Sequence, residues 1–219
     1  MIPQLISFPS TDFIFCLLIG SSIGYALIFK AYRKNFVQIL KAVNDSNLTY
    51  QLYRENGRVT KLTMMLLASI STLVVGTFIS WSVYKLDWLS DFGTSTVLFG
   101  VLGVALFVMF RYTILNCIGI VSQKKQLLDY GLYVFWSILC FLGPILSGIT
   151  ALAVFGPTGW QQIFIWIGLL FMLLSYALFI LKGFLICVNE KGIGPLNLIY
   201  YFCALEVLPI LLAYRTILN

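Results

Sequence analysis

Residues 196–213 read LNLIYYFCALEVLPILLA, an apolar run with one carboxylate, Glu206, inside it. A helix of this length rises roughly 27 Å, close to the roughly 30 Å of a bilayer's hydrocarbon core. A carboxylate at that depth is costly unless it is paired, protonated or wet, so Glu206 needs a physical reason to be there. Pro209 lies three residues on and cannot donate to the carbonyl of Leu205, which frees an acceptor beside the carboxylate. Ile199, Cys203, Ile210 and Ala213 share the Glu206 face at helical spacing. The run therefore reads as a membrane span carrying a small intramembrane polar locus, Glu206 with Pro209.

The same signature recurs along the whole chain. Of its 219 residues, 60% are hydrophobic and 10% charged, a balance that belongs to polytopic membrane proteins. Five further runs have the length and apolarity of spans: 13–28, 62–83, 95–115, 127–155 and 163–180. The expected fold is all-α, a single membrane domain of about six transmembrane helices over residues 1–219. The remaining polar stretch of any size is 30–61, so no extramembrane enzyme domain fits. Met1–Thr11 carries no Lys or Arg and no small-residue cleavage site follows the first apolar run, so that run is expected to stay as a membrane helix.

Charge sets the expected orientation. Lys30, Arg33, Lys34, Lys41, Arg54, Arg58 and Lys61 fall in the first connection. Arg111, Lys124 and Lys125 belong to the third, and Lys182 and Lys191 to the fifth. Lys85 and Arg215 remain for the other side, a division of twelve against two. The odd-numbered connections are thus expected in the cytoplasm and both termini in the periplasm. The net charge of +6 is a topology signal, and no nucleic-acid partner is expected from it.

The connection 30–61 has internal pattern. Phe36, Ile39, Leu40 and Val43 recur at helical spacing, with Arg33, Lys34 and Lys41 on the opposite face. An amphipathic elbow at the headgroups is expected, its basic face drawn to anionic lipid. Asp45-Ser46-Asn47 offers a helix cap and Asn56-Gly57 a turn. The sequon Asn47-Leu48-Thr49 is inert on the cytoplasmic side.

Small residues and prolines mark helix contacts. Gly20 and Gly24 in the first span stand four apart, a spacing that lets a second helix approach the backbone, within the molecule or in a dimer. Gly143-Pro144 sits at the middle of the fourth span, where proline removes a backbone hydrogen bond and bends a helix. Arg111 interrupts the third span; it either snorkels to the cytoplasmic interface or turns inward to an acid, and its position alone favours snorkelling. Arg111 and Lys182 are the candidate internal charge partners of Glu206. The outer connection around Trp81, Trp88, Asp87 and Asp91 and the turn Gly156-Pro157-Thr158-Gly159-Trp160 fit an aromatic belt.

Five cysteines (Cys16, Cys117, Cys140, Cys187 and Cys203) lie singly in or beside apolar segments, and the chain has no histidine. No CxxC or Cys/His spacing supports a disulfide framework or a zinc site, and neither metal nor cofactor is expected.

The tail segment Phe202-Cys203-Ala204-Leu205-Glu206-Val207-Leu208-Pro209-Ile210-Leu211-Leu212 resembles the end of an integral-membrane family from Bacteroidota described only as a domain of unknown function. The stretch Tyr50-Gln51-Leu52-Tyr53-Arg54-Glu55-Asn56-Gly57 is similar to it as well. The resemblance implies a bacterial inner-membrane location and work in the cell envelope. It supplies no activity and no catalytic residues.

Three function classes remain. A non-enzymatic subunit or scaffold of an envelope assembly, for secretion or cell-surface biogenesis, is the expected one, with the bilayer and another membrane protein as partners. The carboxylate would then pair with a cation of another subunit or with Arg111 or Lys182. The alternative is a small proton-coupled transporter or channel using Glu206, with Pro209 and Gly143-Pro144 permitting rearrangement; no internal repeat supports it. An intramembrane enzyme is not expected, because no histidine, paired intramembrane carboxylates or phosphate-cradling glycines converge.

Overall fold

The computed structural model describes residues 9–42, 58–86, 92–121 and 125–189. Five α-helices account for almost all of them: α1 (Pro9–Ala42), α2 (Arg58–Lys85), α3 (Thr94–Val121), α4 (Lys125–Phe155) and α5 (Thr158–Asn189). No strand occurs among the described residues. Each helix contains a segment long and apolar enough to cross a membrane: Thr11–Ile39, Val59–Lys85, Thr94–Thr113, Gly131–Phe155 and Thr158–Lys182. The first five expected spans each fall inside one helix; the sixth, 196–213, lies outside the described residues.

Local chemistry sets the helix ends. The backbone N–H of Gly93 donates to Thr96 Oγ1 (3.4 Å) and that of Thr96 to the Gly93 carbonyl (3.1 Å), so the first turn of α3 closes on itself. Between α4 and α5, Gln161 Nε2 donates to the Gly156 carbonyl (3.0 Å) and the Val154 carbonyl (3.4 Å). One amide thus reaches back to carbonyls at the end of the preceding helix. Trp160 N–H donates to the Pro157 carbonyl at 2.8 Å and starts α5.

Hydrophobicity is nearly uniform along the five helices, yet their positions differ. In the apolar stretch of α2, 61% is buried, against 17% for α3 and 22% for α5. The apolar stretch of α4 is 50% buried, and α2 and α4 together form the centre of the bundle. α2 packs against α1, α3 and α4, and α4 packs against all four other helices, with α5 lying along it. The main core joins Tyr25 and Ile39 of α1, Leu67 and Phe78 of α2, Val108 of α3, and Tyr133, Cys140 and Leu146 of α4. A second core at the other end collects Ile14, Leu18, Trp81, Val97, Ala153 and Ile165. The indole Nε1 of Trp81 there donates to the Ala153 carbonyl (3.1 Å), tying α2 to α4.

Lipid tails are as apolar as leucine, so close backbone approach and dispersion, rather than exclusion from water, hold such helices together. The glycines are placed for that. A Cβ on Gly76 of α2 would lie 2.5 Å from Val101 Cα of α3, and one on Gly100 would enter Ser80 Oγ. A Cβ on Gly168 of α5 would run into the Phe78 ring, which reaches across from α2. Leu98, Phe99, Leu102, Leu106 and Met109 of α3 and Trp166, Leu170, Leu173 and Leu174 of α5 are left outward.

The elbow differs from expectation. Residues 30–42 continue α1 past a break at Tyr32, whose backbone (φ −131°, ψ 37°) leaves the helical region, and Arg58–Lys61 already belong to α2. Residues 43–57 lie outside the described set. No Pro or Gly stands in 30–42 to cause the break; packing accounts for it. Beyond Tyr32, Ile39 is fully buried in the main core and Phe36 packs on it. Asn35 Nδ2 donates to Thr60 Oγ1 at the start of α2 (3.2 Å). Ile39 and Phe36 of this segment turn to the bundle, where the headgroup surface was expected.

Candidate functional site

Two polar groupings lie inside the bundle. The first is a contact of α1, α2 and α4. Tyr25 Oη and Ser71 Oγ are hydrogen-bonded at 3.1 Å, directly against Gly143. A Cβ at Gly143 would overlap both oxygens, so the glycine is what lets them meet. α4 is continuous through the neighbouring Pro144. One turn earlier, Cys140 is fully buried and its Sγ donates to the Met64 carbonyl of α2 at 3.6 Å. These groups lock three helices at one level.

The second grouping surrounds Arg111. Its side chain is 4% exposed, and it is the charged member of the buried set among the described residues. The guanidinium carbon lies 4.1 Å from the ring centroid of Phe179 on α5 and 4.9 Å from that of Phe135 on α4. Those two rings meet edge to face, 5.7 Å apart. The ring quadrupoles attract the cation, and the attraction grows when water is excluded. Snorkelling was the expectation for Arg111; the side chain is instead buried, with aromatic faces from two neighbouring helices against its guanidinium. Sequence position carried no sign of those rings, which are 24 and 68 residues away in the chain.

The other sequence candidates are distributed as follows. Lys182, near the end of α5, is half-buried. Arg33, Lys34 and Lys41 are all exposed beyond the Tyr32 break, Arg33 stacking 5.7 Å from the Phe29 centroid. Gly24 faces α2, where an added Cβ would lie 2.7 Å from Ile70 Cδ1, whereas Gly20 opens outward with nothing within 4 Å. Glu206 and Pro209 lie outside the described residues. Gly76, Gly100 and Gly168 were not singled out from sequence; Gly76 and Gly100 meet at one contact of α2 with α3, each supplied by a different helix, a pairing that spacing within one helix does not show.

The remaining buried hydroxyls are mostly turned onto their own helices. Thr63, Thr77 and Ser82 of α2 each donate to the carbonyl four residues back at 2.8 Å, and Ser137 and Thr150 of α4 do likewise at 2.9 and 2.6 Å. Ser80 donates to Gly76 of its own helix (2.9 Å) and to the Thr96 carbonyl of α3 (3.2 Å). Among the described residues, no three Cys, Asp or Glu side chains gather into a metal-ligand cluster.

The chain belongs to the family described as Domain of unknown function (DUF4271), whose profile matches residues 14–217 and so takes in all five helices' apolar segments from Ile14 onward. The comparisons with curated proteins and with solved structures each gave no match.

Proposed function

We propose that this protein is a non-enzymatic integral subunit or scaffold of a bacterial envelope assembly, for secretion or cell-surface biogenesis. In this reading it lies in the inner membrane with six spans, residues 196–213 being the last, and both termini face the periplasm. The observation that carries the reading is the use made of polar groups inside the bundle. The buried hydroxyls donate mainly to their own helices, and the exceptions join helices to one another. Among the described residues such groups hold a frame together rather than line a path for a solute or converge on a reacting bond.

The outward faces of α3 and α5 agree with a partner-binding role. Both are long, apolar and aromatic-rich, with Phe99, Phe107 and Phe110 on one and Trp160 and Trp166 on the other. In a bilayer these surfaces are covered by lipid or by another membrane protein, and aromatic side chains bring large contact area at little entropy loss.

The test is affinity purification of the full chain from its native host in a mild detergent, with every co-purifying protein identified. A membrane protein recovered in stoichiometric amount is the expected result. A solitary monomer that carries proton-coupled flux in liposomes, lost on Glu206→Gln, overturns the subunit reading in favour of a transporter.

A further inference from the structure

We infer that the exposed face of α1 binds one anionic phospholipid, its phosphate held by Arg33 with Lys30 and Lys34 and an acyl chain laid along Ile19, Ile23 and Leu27. The inference rests on the membrane placement proposed above, in which α1 crosses the bilayer, and needs no assembly partner.

The site begins at a break in the helix. Tyr32 leaves the helical region, so Lys30 belongs to the spanning part of α1 and Arg33 and Lys34 to the part beyond it. A ring pair bridges the break: Phe29 before it and Phe36 after it meet edge to face, their centroids 5.4 Å apart. Phe36 packs on the main core, which anchors the pair to the bundle. The Arg33 guanidinium lies over the Phe29 ring, its carbon 5.7 Å from the centroid. A guanidinium held by its face keeps its edge N–H donors for a second partner, and their fork matches two phosphate oxygens. Arg33 is thus placed before a ligand arrives, which lowers the entropy lost on binding. Lys30 and Lys34 flank it in the chain and are both exposed.

Charge selects the headgroup. Residues 13–42 and 58–85 contain no Asp or Glu, while Lys41 and Lys61, also exposed, add to the positive end. An anionic headgroup meets cations alone there. The ammonium of a zwitterionic headgroup finds no carboxylate in these stretches to receive it and meets like charge.

The apolar half of the lipid has its place as well. Ile19, Ile23 and Leu27 follow one another at four-residue spacing, 42%, 53% and 61% exposed, and form one outward row. Lys30 continues the row three residues on. Gly20, next to Ile19, has nothing within 4 Å of an added Cβ, so the row is open to a methylene chain. Ile19 stands eleven residues before Lys30, about 16 Å at 1.5 Å per residue, close to half of the roughly 30 Å hydrocarbon core. A chain of one leaflet fits that length. An apolar row alone would take any lipid; the stacked arginine at its end makes the row selective.

The experiment reconstitutes the full chain in nanodiscs of phosphatidylglycerol and phosphatidylcholine in equal amounts, with matched acyl chains. Native mass spectrometry then reads the lipids that the protein retains. Phosphatidylglycerol is expected to be retained over phosphatidylcholine at least tenfold. Arg33→Gln is expected to cut that retention at least fivefold, and Arg33→Lys at least threefold, because a point charge cannot make the forked contact. Lys85→Gln removes the same charge at the other end of the bundle and is expected to leave retention within twofold. All of these side chains are exposed, so the variants are expected to keep the parent's thermal unfolding. Equal retention of the two lipids overturns the site, as does an equal loss with Lys85→Gln or full retention by Arg33→Lys. If Arg33→Gln instead releases a protein from the complex purified from the native host while phosphatidylglycerol retention is unchanged, the cluster docks an acidic protein and the lipid assignment fails.

Discussion

Gly76 and Gly148 are both mid-helix glycines, and only their surroundings distinguish them. A methyl group on Gly76 would meet the Val101 backbone, 2.5 Å from Cα and 2.9 Å from N, and a backbone cannot swing aside as a side chain can. A methyl group on Gly148 meets nothing within 4 Å. Gly76→Ala is therefore expected to force α2 and α3 apart and cost about 2 kcal/mol. Gly148→Ala is expected to be neutral or to gain up to about 1 kcal/mol through helix propensity. Tyr25→Phe provides a scale between them, since losing the hydrogen bond to Ser71 within a membrane costs about 0.6 kcal/mol. Thermal unfolding in detergent, followed by circular dichroism, checks the order Gly76→Ala, then Tyr25→Phe, then Gly148→Ala. A Gly76→Ala protein as stable as the parent would refute backbone contact as the reason for that glycine. Residue identity in the sequence showed where the glycines were but not which of them touch a neighbour. Gly20 and Gly24 share one pattern, yet only Gly24 faces α2.

At the scale of elements, apolar runs of span length marked the five helices, because a bilayer imposes both length and composition. Their ends were less legible: α3 runs on to Val121, and α1 continues past Tyr32 to Ala42. The 30–42 segment shows why. Apolar residues at helical spacing declare a face, but the same face suits a lipid surface and a protein core equally. Ile39, fully buried against the bundle, decides for the core. The two faces are expected to respond differently. Ile39→Ala removes buried methyl groups and should destabilise by about 3 kcal/mol. Replacing Arg33, Lys34 and Lys41 together by Gln should leave stability within about 0.5 kcal/mol, because all three are exposed. The same triple variant should weaken selection of anionic lipid by about 1 kcal/mol per lost charge. Thermal unfolding reads the first pair of effects, and native mass spectrometry of retained lipids reads the last. Equal destabilisation by both variants would remove the division into a core face and a lipid face.

The whole molecule has a polarity along its axis that its apolar composition hides. Lys30, Arg33, Lys34 and Lys41 lie late in α1, Lys61 early in α2 and Lys182 late in α5. The Asn35–Thr60 hydrogen bond sets the end of α1 beside the start of α2, and the short connections after α2 make the later helices antiparallel, which brings these groups to one end. At the other end Lys85 stacks over Trp81 at 5.2 Å and over Tyr84 at 5.9 Å, beside Phe92. A single cation held on aromatics differs from a basic cluster: the first suits the translocated side, while the second resists translocation. What the sequence did not reveal at this scale is that α2 and α4 share the centre, since burial among apolar helices depends on which neighbours each one meets. Orientation, by contrast, is expected from charge alone and can be measured directly. In a cysteine-free chain, Thr94→Cys at the aromatic end is expected to react with an impermeant maleimide in intact cells. Lys41→Cys at the basic end is expected to react only after the membrane is opened. The exchange keeps eleven of the twelve basic residues assigned to the cytoplasmic side, so the orienting bias survives it. Labelling with the two positions reversed would place the basic end outside, and the cytoplasmic assignment of the 30–61 connection would fall with it.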